Sequence, residues 1–155
     1  MHIMGLDTVL AVFHHLCVFG LFVILASEMA LVRPGISADT VARVARIDGA
    51  YGIVAALALV AGALRVLYGA KVTEFYTHNP IFWTKIGLFI AIGLLSIPPT
   101  LNFIRWHKAL CANPNALPDA KSLQSTRRFV HIELALLFLL PILAAMIARG
   151  IGYSR

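Results

Sequence analysis

The chain has 155 residues, of which 60% are hydrophobic and only 13% are charged, and its mean hydropathy is +0.86. A soluble domain of this size could not bury so much apolar surface, so the lipid bilayer must be its solvent. The formal net charge is +6, but the basic residues flank apolar segments, so we expect no nucleic-acid partner. Cys17 and Cys111 form no CxxC pair, and no disulfide is expected.

Four apolar segments are long enough to cross the roughly 30 Å of bilayer hydrocarbon as helices. They lie at about residues 6–32, 41–69, 80–106 and 126–150. Ser37 or Asp39 is the expected N-cap of the second helix, and Pro98-Pro99 and Pro141 are expected to kink or locally unwind the third and fourth. Because backbone polar groups in lipid must be satisfied internally, the sequence predicts an all-α, integral-membrane four-helix bundle forming a single domain over residues 1–155.

Basic residues are concentrated in or beside the first-to-second and third-to-fourth connections. They are Arg33, Arg43, Arg46, Arg105, Lys108, Lys121, Arg127 and Arg128. The positive-inside rule then predicts a multi-pass protein of the bacterial inner membrane with both termini on the periplasmic side. The half of the bundle nearer the termini is thus the expected outer half.

Three helices place polar side chains at similar depth in this outer half, where burying them in lipid costs free energy. His14 and His15 lie within helix one, while Arg65 and Lys85 each lie about one turn inside helices two and three. Neighbouring helical residues point about 100° apart, so the two histidines face different directions. The His14 face also carries both acidic residues of helix one, so we expect His14 to point inward. His15 is expected to face a dimer partner, or to be the ligand if the helix is rotated the other way.

A neutral imidazole at this depth suits iron, and haem propionates require cations nearer the membrane surface. The expected cofactor is therefore haem b. The expected cofactor-binding residues are His14, His15, Arg65, Lys85, Tyr68 and Trp83, and the candidate iron ligands are His14, His15 and His78. The competing interpretation is simpler: a helix–helix hydrogen bond for the histidine, snorkelling for the cations, and a solvated loop position for His78.

A second polar group lies toward the expected cytoplasmic side. It comprises Glu28, Arg43, Arg46, Asp48, Tyr51, His131 and Glu133. Opposite charges in this number favour an ion-pair network that fixes helix register. The alternative is a proton path or a polar-substrate pocket. Motifs of hydrolase or nucleotide chemistry, such as HExxH, GxSxG or a Gly-rich phosphate loop, are absent from the sequence.

A family resemblance rests on four segments: HHLCVFGLFVILASEMALVRPG, ARIDGAYGIVAALALVAGALRVLYGAK, HNPIFWTKIGLFIAIGLLSIPPTL and MIARG. Together they resemble an uncharacterised bacterial family of four-helix membrane proteins, which implies a fold but no activity. More distantly, residues 14–18 and 83–85 are similar to the protoporphyrinogen oxidase HemJ and to CopD-type membrane proteins. That similarity implies a b-type haem held by His14 and, more weakly, a role for Lys85. The chain departs from the pattern at His15, Arg65 and residues 131–133, and these departures do not favour porphyrinogen oxidation.

The expected function is a haem-binding protein for electron transfer in the outer half of the membrane. A homodimer is the expected assembly, and a quinone or a porphyrin is the candidate small-molecule partner. Two alternatives stay open. One is HemJ-like oxidation of protoporphyrinogen, and the other is a cofactor-free transporter or membrane assembly protein whose polar residues line a pathway.

Overall fold

The computed structural model describes residues 2–69 and 73–152, and the elements over these ranges are all helices. They are α1 (His2–Leu31), α2 (Ala38–Tyr68), α3 (Thr73–Thr77), α4 (Pro80–Ala112), α5 (Ala120–Leu137) and α6 (Leu139–Ala148). Four candidate membrane spans are formed by α1, α2, α4 and the consecutive α5–α6 pair. The expected all-α membrane bundle is confirmed.

Side-chain caps fix where three of the helices begin. Ser37, and not Asp39, caps α2 by accepting a hydrogen bond from a backbone N–H. Asn79 caps α4 in the same way, with Pro80 in the first turn, where its missing N–H costs nothing. Asp119 caps α5 with a bond of 2.7 Å from the Ser122 N–H. The fourth span therefore begins at Ala120 and not near residue 126, because a polar, capped turn precedes its apolar part.

The helix-internal prolines act differently in the two spans. The fourth span is divided at Phe138 into α5 and α6, since Pro141 has no N–H to donate to the carbonyl of Leu137. In contrast, α4 passes through Pro98 and Pro99 as continuous helix, so the expected local unwinding is not found there. Pro99 is buried, and α4 packs on α2, α5 and α6, which holds the helix together despite two lost backbone hydrogen bonds.

The four spans pack in a ring, each against its two neighbours. We call the half nearer residues 2 and 148 the termini half, and the half nearer the connections 32–37 and 113–119 the loop half. Helix α1 packs along α2 and contacts α5, while α4 contacts α2, α5 and α6. Within the described residues the backbone of α1 approaches that of α5 but not that of α6. Side chains still join the two helices, because Leu140 of α6 lies in the same buried cluster as Leu21 of α1.

Apolar packing is concentrated in the middle and in the loop half. Leu21, Leu25 and Leu137 belong to a central cluster, and Val44 and Phe103 to a second cluster near the loop end. Large apolar side chains on the outside are exposed as a lipid-facing surface requires, among them Val9, Leu16, Val23, Leu59 and Leu94.

Candidate functional site

The rotation of α1 is as predicted from its sequence. His14 is half-buried and His15 is exposed. Further along the His14 face, Cys17, Leu21 and Glu28 are buried in the bundle. His14 thus points toward the interior.

His14 is held against the backbone of α2. Its Nδ1–H donates a hydrogen bond of 2.8 Å to the carbonyl oxygen of Ala58. Because a carbonyl oxygen can only accept a hydrogen bond, the proton of the neutral ring is assigned to Nδ1. The Nε2 atom then carries an unprotonated lone pair. One turn along α2, a Cβ added to Gly62 would lie 3.3 Å from the Cε1 atom of His14. Any larger residue at position 62 would therefore clash with the imidazole.

Two cationic side chains lie close to His14, as the sequence predicted. Lys85 on α4 and Arg65 on α2 both interact electrostatically with the imidazole, and they also interact with each other. Arg65 forms an ion pair of 3.5 Å between its Nε and the Oδ1 of Asp7. Over the described part of the chain, Lys85 has no such carboxylate partner. We call His14, Arg65, Lys85 and Asp7 the termini-half site.

Asp7 was not predicted as part of this site. It lies seven residues, about two helical turns, before His14 on the same face of α1. That spacing places its carboxylate at the end of α2, where Arg65 is found. The spacing of Asp7 and His14 was present in the sequence. The pairing of Asp7 with Arg65, however, depends on how α1 and α2 are aligned.

Helix α3 lies beside this site. Burial raises the pKa of Tyr76 above its ordinary value; Arg65 opposes this shift and Asp7 adds to it. The Tyr76 ring also packs on Phe82 at the start of α4, with centroids 5.7 Å apart. Tyr76 is therefore a neighbour of the Arg65–Asp7 pair that sequence reasoning missed, because nothing in the pattern placed α3.

The other predicted site residues are not brought to His14. The Nδ1–H of His15 donates to the carbonyl of Ala11 in its own helix, and that of His78 donates to the Glu74 carbonyl at 3.1 Å. Tyr68 and Trp83 are 58% and 57% exposed, so both face outward. Trp83 instead donates its indole N–H to the Thr77 carbonyl, fastening α3 to α4. Exposed aromatic residues near the ends of spans are typical of a membrane–water interface.

A second site lies in the loop half, where three carboxyl groups from three helices are buried together. Glu28 on α1, Asp48 on α2 and Glu133 on α5 are 1%, 7% and 1% exposed. Electrostatic interactions join Glu28 to both of the others and Asp48 to Glu133. The hydroxyl of Thr100 donates to Oδ1 of Asp48 at 2.9 Å. We call Glu28, Asp48 and Glu133 the carboxylate cluster.

The ion-pair network expected here is wrong. Arg43, Arg46 and His131 are all exposed, and none of them pairs with a buried carboxylate in the described ranges. The reason is helix rotation: residues two apart, such as His131 and Glu133 or Arg46 and Asp48, point about 200° apart on a helix. The basic members of the group face outward while the acidic members face in.

Most carboxylate oxygens of the cluster are left without a donor. Oε1 of Glu28 and both side-chain oxygens of Glu133 are buried with no hydrogen-bond partner in residues 2–69 and 73–152. The Tyr51 hydroxyl approaches Glu133, but the contact does not reach hydrogen-bond geometry. Beside the cluster lies a cavity of about 140 Å³ whose lining includes Tyr51, Thr100, Ser96 and Leu21. On α1, Leu21 is two turns from both His14 and Glu28, so the cavity lies between the two sites.

These features define a multi-pass helical membrane protein with two separate polar sites between its spans. The chain belongs to the family described as "Predicted membrane protein (DUF2214)", whose profile matches residues 6–152. The resemblance to an uncharacterised membrane family is thereby confirmed, while the similarity to HemJ and CopD-type proteins stays a prediction. Comparisons with curated proteins and with solved structures find no match.

Proposed function

We propose that the protein binds b-type haem at the termini-half site and takes part in electron transfer within the membrane. The observation that supports this most is the hydrogen bond from Nδ1 of His14 to the Ala58 carbonyl. Histidines that ligate metals commonly donate the second ring N–H to a carbonyl, which fixes the tautomer and directs Nε2 to the metal. His14 has this arrangement.

The charges at the site suit an anionic ligand. Arg65 and Lys85 bring two positive charges near His14, while Asp7 supplies one negative charge. Unbalanced positive charge is costly at membrane depth. One propionate group would neutralise Lys85, the cation that has no carboxylate partner in the described structure, and a second would share Arg65 with Asp7.

The shape of the bundle supports entry from the bilayer. Because the backbones of α1 and α6 do not approach each other closely within the described residues, we expect an apolar macrocycle to reach His14 laterally between them in the termini half. No three His, Cys, Asp or Glu side chains in that same part of the chain are arranged to hold a metal ion. A macrocycle would supply iron at His14 with its four nitrogen ligands. When bound, haem supplies a one-electron couple whose potential depends on axial ligation, burial and hydrogen bonding.

The proposal includes a setting. The loop half, rich in Arg and Lys, faces the cytoplasm of a bacterial cell, and both termini face the periplasm. Two copies pair to a homodimer through the outward face of α1 that carries His15, and a quinone or porphyrin exchanges electrons at the termini half. Support for this setting comes from the distribution of basic residues and from the exposure of His15.

The test is an absorption spectrum of the protein purified in mild detergent from haem-replete cells, oxidised and then reduced with dithionite. We expect a Soret band and sharpened α and β bands on reduction. His14→Ala should abolish or shift them, whereas the adjacent, outward-facing His15→Ala is the matched control and should not. A colourless wild-type protein, or bands that survive His14→Ala unchanged, would contradict the proposal.

A second candidate, a cofactor-free transporter, is favoured by the carboxylate cluster and the neighbouring cavity, because buried ionisable groups in membrane proteins commonly mark ion or proton pathways. This candidate predicts a colourless preparation. The HemJ-like oxidase shares the haem site with the first proposal, and rescue of a strain lacking protoporphyrinogen oxidase would distinguish the two.

A further inference from the structure

We propose that Glu28, Asp48 and Glu133 form a proton-binding site inside the membrane, which takes up and releases protons as the protein works. The carboxyl groups come from α1, α2 and α5 and meet in the loop half, with Tyr51 and Thr100 beside them. The inference depends on the loop half alone and not on haem at the termini-half site.

The balance of charge at the cluster is the first argument. The titratable groups that face Glu28 are Asp48 and Glu133, and Tyr51 faces all three carboxyls. On α4, the group in contact with Asp48 is the uncharged Thr100. No Lys, Arg or His interacts with the cluster in residues 2–69 and 73–152. Three negative charges close together in a low-dielectric interior repel one another strongly, so the group must carry protons.

The second argument is that the cluster is not a saturated hydrogen-bond network. A structural network of buried polar groups is stable only when every member is paired. Here three buried oxygens, on Glu28 and Glu133, have no partner in the described chain, although the two residues are 99% buried. Oxygens of this kind retain the capacity to bind a proton.

The cavity supplies the third argument, since a proton site needs access. Its volume of about 140 Å³ is enough for a few water molecules at about 30 Å³ each. Tyr51, Ser96 and Thr100 are among its mostly apolar lining residues, and the Thr100 hydroxyl donates to Asp48, which connects the cavity to the cluster. In each transfer one carboxylate oxygen gains an O–H bond, a hydronium ion loses one, and the charge of the cluster rises by one unit.

The first experiment measures the carboxyl groups directly. Infrared difference spectra of the full-length protein in lipid nanodiscs, recorded between mildly acidic and alkaline pH, should show a C=O stretch of protonated carboxyls that decreases as the pH rises. Glu28→Gln, Glu133→Gln and Asp48→Asn should each remove part of that band. Asp39→Asn is the control, because Asp39 is exposed in the first turn of α2. A band that does not titrate, or one that the three cluster variants leave unchanged, would overturn the proposal.

The second experiment needs no variant. Dicyclohexylcarbodiimide is an apolar reagent that modifies protonated carboxyls within membranes, and the modified residue can be identified by mass spectrometry. We expect modification at Glu28 or Glu133, decreasing at alkaline pH, and none at the exposed Glu74. Reaction confined to exposed acids, or independent of pH, would overturn the proposal. Neither result bears on the haem spectrum, so the two proposals can fail separately.

Discussion

Replacing Glu28 by methionine should stabilise the protein, although most changes at buried positions destabilise. The Glu28 side chain is 1% exposed, its Oε1 has no hydrogen-bond partner in the described chain, and two other carboxyls face it. A buried, unpaired polar group costs about 1–3 kcal/mol, and methionine fills a similar volume without that cost. For a chain of this size about 1 kcal/mol corresponds to roughly 2–4 °C, so Glu28→Met should raise Tm by roughly 2–12 °C.

The assay is thermal unfolding in detergent, followed by loss of the monodisperse gel-filtration peak. Glu28→Gln serves as a comparison, because its amide is still a buried polar group and should give a smaller gain. Glu74→Met, at an exposed position of α3, should change stability by no more than about 0.5 kcal/mol. A fall in Tm for Glu28→Met comparable to the predicted rise would refute the reasoning, since it would mean that the carboxyl is well paired in the folded protein.

Three further outcomes are expected. Gly62→Val should displace the imidazole of His14, whose Cε1 atom would lie 3.3 Å from the added Cβ. The expected destabilisation is about 1–3 kcal/mol. Gly49→Val is the control in the same helix, because the added Cβ meets open space there, and it should change Tm less. Burial raises the pKa of Tyr76, so the folded state holds the phenolic proton more tightly than the unfolded chain. The free energy of unfolding should therefore fall as the pH rises past the ordinary pKa of tyrosine. Tyr76→Phe should make that fall smaller. Exposed Cys111 should react with a membrane-impermeant maleimide only after cells are permeabilised, and reaction in intact cells would reverse the proposed orientation.

Features that depend on one helix at a time could be predicted from the sequence. The four spans follow from the length of their apolar segments, and the inward direction of His14 follows from the acidic residues on its face of α1. The break near Pro141 follows from a missing N–H. Each is a local property, because periodicity and backbone chemistry act within a single helix.

Features that depend on how two helices are aligned could not be predicted from the sequence. The sequence predicted that Asp48 and Glu133 belong to an ion-pair network, but the basic residues of the group are exposed and the acids face each other. The hydrogen bond from His14 to the Ala58 carbonyl could not be predicted either, because every residue has a carbonyl. Only the alignment of α1 with α2 determines which one accepts the bond. The first turns of α5 are too polar to be recognised as part of a membrane span, and the Asp119 cap determines where that helix begins.

The interruption at Phe138 divides the packing of the fourth span between two neighbours. The Phe138 backbone remains helical, and its ring meets that of Phe22 with centroids 4.7 Å apart. On one side of it, the backbone of α5 lies against α1 and carries Glu133; on the other, α6 lies against α4. The interior acids and the far end of the same span are thus supported by different helices.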